Sequence, residues 1–183
     1  MFIPTREFIT NMTPMEFEKY SIELLKSEFA NKGIEKLSFQ HNIIEKIDDE
    51  DYQIDGEIRF TLMVIEYLTL VECKYYKNPI KREQIQVLKD KIQEIGAHKG
   101  IFISTSNFQS GALNYAAKHG IATITIIDGK LTYHTRDMFN TMPKYYPEDL
   151  PEYVLAFQKA KEESISVSYL SGKTSAIYDF IVK

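Results

Sequence analysis

The strongest constraint on the fold is an alternation of two periodicities between Leu68 and Ile127. Ile85, Leu88, Ile92 and Ile95 recur at intervals of three and four residues, which defines an amphipathic helix ending at Gly96. Gly100 to Ser104 is a short continuous apolar run of the kind that forms a strand buried on both faces. Ala112, Leu113, Ala116 and Ala117 then give a second helix a low-profile face that can pack closely on a sheet, with Gly120 as its stop. Ile121 to Ile127 is another strand, and Asp128-Gly129 is a two-residue turn leading into Leu131-Thr132-Tyr133. Helices alternating with buried strands demand a sheet covered on both faces.

The N-terminal half supplies the rest of that sheet. Thr13 can cap a helix that has Pro14 at its first position, and Glu16 completes the capping box, so a helix is expected from there to about Ala30. Ile22, Leu25 and Phe29 lie within one arc of it, and Glu18 points into the middle of that apolar arc. Leu37-Ser38-Phe39 alternates like a strand. Asp48-Asp49-Glu50-Asp51 reads as a solvated turn, and Tyr52 to Phe60 and Leu68 to Lys74 read as strands. The apolar stretch from Leu62 to Leu70 carries no Gly or Pro to mark the boundary between them. The expected architecture is an α/β three-layer sandwich with a central mixed sheet, spanning residues 1–134. Residues 135–183 form an extension containing Pro143, Pro147, Pro151 and a helix from Glu152 to Glu163.

Composition narrows the function classes. In 183 residues there is a single cysteine, Cys73, so no internal disulfide can form, and His41, His98, His119 and His134 lack paired-ligand spacing with it for a zinc site. A reducing cytoplasm is the expected compartment. No apolar run reaches the roughly 18 residues needed to cross a bilayer, and the first residues lack a basic region followed by an apolar signal core. The formal charge of −4 argues, taken alone, against a nucleic-acid binder. The charge is uneven, however. Residues 41–60 hold seven carboxylates against Lys46 and Arg59, whereas Glu72 to Lys99 holds seven cations against four carboxylates.

The chemistry concentrates on Leu70-Val71-Glu72-Cys73-Lys74. Strand alternation puts Glu72 and Lys74 on one face with Leu70, and Val71 and Cys73 on the other. An acid and a base on a buried strand are costly to desolvate unless they pair or bind something. Asp55 lies upstream in Gln53-Ile54-Asp55-Gly56, where Asp-Gly could simply reverse the chain. If Asp55 instead sits beside Glu72, two carboxylates and a lysine form the composition of a Mg²⁺ site. The lysine would then orient an attacking water or stabilise charge developing on a phosphate.

These words together resemble the D…(D/E)-x-K signature of the restriction-endonuclease-like nucleases, and more closely their Mrr-like branch. Met15-Glu16-Phe17-Glu18-Lys19 is similar to the start of that branch's first helix, and His41-Asn42 with Gln53-Ile54-Asp55 to its H-N…Q-I-D element. Val71 to Ile80 resembles its strand-to-helix junction, and Gly100 to Ala112 its following strand, loop and helix. The resemblance implies Asp55 and Glu72 as metal ligands, with Cys73 contributing its backbone carbonyl. It implies Lys74 as the catalytic lysine and Glu18 as a further acidic group near the metal. A first-turn glutamate favoured by the helix dipole is the alternative for Glu18. Gln84 borders the apolar face of the second helix and could reach the same site or be solvated. His41 could donate to a phosphate or cap a turn, and the cations Lys74, Lys77, Lys81, Arg82, Lys89, Lys91 and Lys99 could contact phosphates or, for Lys89 and Lys91 above all, form a solvated helix face.

The implied activity is Mg²⁺-dependent hydrolysis of DNA phosphodiester bonds, with Mn²⁺ as an alternative metal. A non-cleaving binding or assembly module on the same fold, or a junction resolvase, are the rival readings. Weak DNA binding by one subunit favours a homodimer or a partner protein that supplies specificity. Ser171-Gly172-Lys173-Thr174 imitates the end of a phosphate-binding loop, but Val167 stands where that loop requires glycine.

Overall fold

The computed structural model describes residues 12–29, 34–128, 153–161, 164–170 and 180–181. Helix α1 (Pro14–Phe29) is followed by strands β1 (Glu35–Ile47), β2 (Glu50–Leu62) and β3 (Ile65–Lys74). Helix α2 (Arg82–Ile95), β4 (Lys99–Ser104), α3 (Ser110–Lys118) and β5 (Ile121–Asp128) come next, then β6 (Tyr153–Lys161) and β7 (Ser164–Leu170). All seven strands form one sheet in sequence order. The β1–β2–β3 pairs are antiparallel, β3–β4–β5 parallel, and β5–β6–β7 antiparallel. The sheet is therefore mixed, as expected. Two successive β–α–β crossovers advance in one direction, which places α2 and α3 on the same face.

Two apolar clusters confirm the layers. Ile22, Leu25 and Phe29 of α1 pack on Ile58, Phe60, Val71, Cys73, Ile101, Ile103 and Ile124. On the opposite face Ile85, Leu88 and Ile92 of α2 and Ala112, Leu113 and Ala116 of α3 cover Leu70, Phe102 and Ile121. Full burial of each large aliphatic is worth about 1.5–3 kcal/mol. Val71 and Cys73 face α1 and Leu70 faces α2, which is the alternation read from the sequence. The capping box also forms: the Thr13 N–H donates to Glu16 Oε2 at 2.7 Å, and the Glu16 N–H donates to Thr13 Oγ1 at 3.3 Å.

Three features differ from the sequence reading or were left open by it. The unmarked boundary between β2 and β3 is a turn at Met63-Val64, where both residues take positive φ, a conformation that neither side chain advertises. The run expected to be a helix from Glu152 to Glu163 is instead strand β6, paired antiparallel with β5 through Ile126–Leu155 and Ile124–Phe157. Tyr153, Leu155 and Phe157 alternate at period two, so the run suits a strand as well as a helix, and the open edge of β5 decides. Asp128 ends β5, and the rest of the turn read there, from Gly129 on, lies with its following strand outside the described residues.

Thirdly, Asp55-Gly56 does not reverse the chain. Gly56 lies inside β2, opposite His41 on β1 and Val71 on β3. At this point the β1–β2 hairpin bends. Ile58 and Phe60 pack on the α1 side, whereas Ile54 and Ile43 pack on the α2 side. In the ladder Glu45 pairs with Tyr52 and Arg59 with Ser38, yet Arg59 Nη2 comes within 3.3 Å of Glu45 Oε1. Asn42 takes a φ of 53° at this point on β1, a conformation asparagine tolerates, and the ladder keeps its register from His41–Gly56 to Ile43–Ile54.

Gly56 permits this arrangement because a Cβ there would lie 2.4 Å from Ile22 Cδ1 and 3.3 Å from the Gln40 carbonyl oxygen. Gly56→Ala is accordingly expected to lower stability by about 1–3 kcal/mol, as overpacking does. Thermal melts of Gly56→Ala, Ile22→Val and the double variant check this: the double variant should lose less than the sum of the singles.

Candidate active site

Asp55, Glu72 and Lys74 converge where β2 parts from β3. The β2–β3 ladder ends at Gly56–Val71, and beyond it the Cys73 N–H donates to Asp55 Oδ2 at 2.7 Å. Asp55 thus takes over a backbone donor that β2 no longer meets. Asp55 is only 8% exposed and Glu72 only 5%, so both carboxylates are within the protein rather than on its surface. Lys74 Nζ contacts Glu72 Oε1 and lies 3.7 Å from Asp55 Oδ2. Acid and base on this strand therefore do pair, and the pair extends to a second carboxylate.

The electrostatics follow from this crowding. Burial first, then the adjacent Glu72 charge, pushes the Asp55 carboxyl above its ordinary range. The Cys73 N–H and the Lys74 and Lys91 ammonium groups pull it back only partly. For Lys74, burial works to lower its pKa, but the charge of Glu72, its hydrogen bond and the charge of Asp55 outweigh that, and the net shift is upward. The ammonium form is thus held. Glu18 is half-buried on α1, and burial followed by the charge of Asp55 raises its carboxyl as well. Its Oε2 lies 3.4 Å from His41 Nε2, and Glu16, not Glu18, makes the helix cap. The apolar-face position read for Glu18 therefore corresponds to a place at the edge of the carboxylate cluster. His41 sits within β1 opposite Gly56 rather than at a turn.

Cys73 enters the site through its backbone, and its side chain is buried in the α1-side core, where burial raises the thiol pKa well above its usual range. Gln84 is directed elsewhere in this arrangement: its Oε1 accepts the Lys81 N–H at 2.7 Å at the start of α2. Arg82 stacks over the Tyr115 ring at 4.8 Å. The loop after β3 is pinned by Thr105, whose hydroxyl accepts the Tyr76 N–H at 2.9 Å and donates to the Tyr76 carbonyl at 2.8 Å.

Lys91 is the participant that the sequence reading assigned to solvent. Its Nζ lies 2.9 Å from Glu72 Oε2 and donates to the Gln53 carbonyl oxygen at 2.8 Å, with only 19% of its side chain exposed. A signal for it existed. Lys91 follows Gln84 by seven residues, two helical turns, and so shares the helix edge that borders the apolar face. Glu72 is therefore flanked by a lysine on each oxygen.

No group of three or more His, Cys, Asp or Glu side chains suited to a metal gathers among the described residues. The donors present are nonetheless hard oxygens on two adjacent buried carboxylates. This chemistry suits Mg²⁺, which is commonly held by one or two carboxylates and keeps several waters. Burial first and then the Glu72 charge raise Asp55, and the second of these is the kind of repulsion a divalent cation relieves. No helix among the described residues is long and apolar enough to cross a membrane.

A mixed sheet between helical layers, with Asp, Glu and Lys meeting at the divergence of two strands, is the restriction-endonuclease-like class of α/β protein. Residues 9–132, well over half of the chain, match the Mrr_cat family, described as restriction endonuclease, and the protein belongs to that family. It is a nuclease-type domain of the restriction class.

Among proteins of curated function none matches the chain. Similar solved structures include a protein of unknown function, AF1548 (15% identity, TM-score 0.46, covering 58% of this chain and 54% of that one). Another is Can2 from Sulfobacillus thermosulfidooxidans in complex with cyclic tetra-adenylate (22%, 0.47, 60% and 32%). A third is the MspJI restriction endonuclease in complex with a 27-mer oligonucleotide (13%, 0.47, 65% and 27%). The chain thus spans about half of the first of these chains and about a third or less of the other two.

The raised Asp55 carboxyl gives a stability prediction. Because the folded state holds this proton more tightly than the unfolded chain, stability from Asp55 declines as pH rises from the ordinary carboxyl value through the folded one. Asp55→Asn keeps an oxygen to accept the Cys73 N–H and removes the charge. Without divalent cations it should melt above wild type at pH 7, with the gap closing as the buffer is acidified below pH ~4. Melting curves in chelator across that pH range check it.

Proposed function

We propose that this protein cleaves DNA as a divalent-metal-dependent endonuclease, with Asp55 and Glu72 as the metal ligands and Lys74 as the catalytic lysine. The observation that carries this reading is the convergence of the three groups, Lys74 Nζ touching Glu72 and lying 3.7 Å from Asp55. Family membership supplies the reaction class.

Asp55 and Glu72, with the Cys73 carbonyl, would hold Mg²⁺ or Mn²⁺. A bound cation of this kind lowers the pKa of a coordinated water and stabilises charge on phosphate oxygens. Asp55, tethered by the Cys73 N–H, cannot swing away without orphaning a buried backbone donor, so that ligand is pre-oriented. Glu72 is held from both sides by Lys74 and Lys91. Lys74 remains an ammonium, which suits it to donate to the attacking water or to a phosphate oxygen rather than to accept a proton. Glu18 supports the site from α1 by adding negative charge beside Asp55, with its Oε2 3.4 Å from His41 Nε2. Gln84 would have to leave its helix-end bond with Lys81 to reach the substrate.

DNA is the proposed substrate, met by the cations that follow the active strand, including Lys77, Lys81 and Arg82. A second copy of the chain or a partner protein would choose the cleavage position.

The test is cleavage of linear, supercoiled and branched duplex DNA, modified and unmodified, with Mg²⁺, Mn²⁺ or chelator. Wild type should cut only with metal. Lys74→Ala should lose activity by about 10³-fold, the scale of an electrostatic transition-state contact, while its melting temperature shows an intact fold. Cutting by Lys74→Ala at the wild-type rate sinks the assignment, and cleavage confined to branched DNA replaces it with a resolvase.

A further inference from the structure

Lys91 is one of the two cations on Glu72, and the family resemblance gives it no role. Its stem leaves α2, its Nζ lies 2.9 Å from Glu72 Oε2 on β3, and the same nitrogen donates at 2.8 Å to the Gln53 carbonyl on β2, two residues before Asp55. One ammonium thus ties three elements together at the bend that presents Asp55. Lys74 occupies the other Glu72 oxygen and approaches Asp55. Formally, Asp55 and Glu72 are balanced by Lys74 and Lys91, which leaves Glu18 as the remaining carboxylate beside them.

We propose that Lys91 is a positioning residue and built-in counter-ion that fixes the Glu72 carboxylate for the reaction and, by its charge, weakens divalent-cation binding at the site. The inference rests on the metal-dependent reading given above. Two effects of the ammonium compete. Its hydrogen bond orders a ligand, which favours the bound cation, and its positive charge repels that cation. In a partly buried site, one unit charge a few ångströms from a divalent ion is the larger of the two. Glu72 also keeps its contact with Lys74 when Lys91 is absent, so only part of its ordering is lost.

Removing the charge should therefore tighten cation binding while impairing turnover, a combination that simple loss of structure does not produce. It would leave Glu72 mobile on one side and release the Gln53 carbonyl, and the price is paid in kcat. The two lysines keep the Asp55 and Glu72 charges balanced and ordered when the site is empty, and cation occupancy follows when substrate phosphate adds negative charge to offset Lys91.

The experiment is calorimetric titration of Mn²⁺ into the DNA-free full chain, comparing wild type with Lys91→Met, which keeps the apolar stem, and Lys91→Arg, which keeps the charge. Lys91→Met should bind Mn²⁺ at least about tenfold more tightly, because removing one repulsive charge several ångströms from a divalent ion is worth that much even at the dielectric of bulk water, with Lys91→Arg close to wild type. Melting temperatures with and without Mn²⁺ give a second reading: Lys91→Met should start lower than wild type and gain more from the ion. In Lys91→Met a fall in kcat with KM little changed should accompany the tighter binding.

Unchanged or weaker Mn²⁺ affinity in Lys91→Met overturns the inference. So does a melting loss that is equal with and without Mn²⁺, which would mark a purely structural lysine. Asp55→Asn distinguishes a failed metal site from a failed role for Lys91: if it binds Mn²⁺ as wild type does, or wild type binds none, the metal reading itself fails and the inference with it.

Discussion

The hydrogen bond from the Cys73 N–H to Asp55 Oδ2 is the constraint on which the rest of the site depends. Strands β2 and β3 run as an antiparallel ladder as far as Gly56–Val71 and then separate because the hairpin bends toward α2. Separation leaves a buried backbone donor on β3, and an unpaired buried N–H is costly. Asp55 fills the gap with a carboxylate. The same side chain therefore ends a sheet ladder and places a charge beside Glu72. Fold and chemistry share one bond, which is why the aspartate stands at the divergence of the strands and not farther along either of them.

Around that bond the protein handles a concentration of buried charge. Glu72, Asp55 and Glu18 crowd together, and burial with mutual repulsion raises the carboxyls of Asp55 and Glu18. Lys74 and Lys91 compensate from different elements, one on the strand itself and one on the helix that covers it. The overall charge of −4 thus says little about what the protein binds. Part of the acidity lies in this cluster, and another buried acid, Glu57, is held by both Arg59 nitrogens Nε and Nη2, at 2.7 and 3.0 Å. The acidic tip formed by Asp48, Asp49, Glu50 and Asp51 is exposed.

Much of the sheet was legible in the sequence because its strands obey simple periodicities. Val71 and Cys73 against Leu70 and Glu72, the helical spacing of α2, and the Thr13–Glu16 box are local patterns, and each forms as read. The candidate site was legible at Asp55, Glu72 and Lys74, since an acid or base on a buried strand demands a partner wherever it falls. What could not be read were features whose energy comes from distant neighbours. β6 carries both a helical and a strand reading until the edge of β5 pairs with it. Met63-Val64 forms the turn through positive φ values that propensity assigns to other residues. Lys91 looks like one more cation on a charged helix until the bent hairpin lays Gln53 against it.

From sequence alone, then, come the layer order, the faces of the strands and the three groups most costly to bury, because these depend on periodicity and on desolvation, which are properties of the residues themselves. The tertiary structure alone decides that Asp55-Gly56 continues a strand rather than turning. A side chain at Gly56 would strike Ile22 of α1, so the glycine serves a packing contact that no local pattern records. It also decides that Glu72 is gripped by two lysines, because the fold lays the Gln53 carbonyl of β2 and the Glu72 carboxylate of β3 within reach of one ammonium on α2.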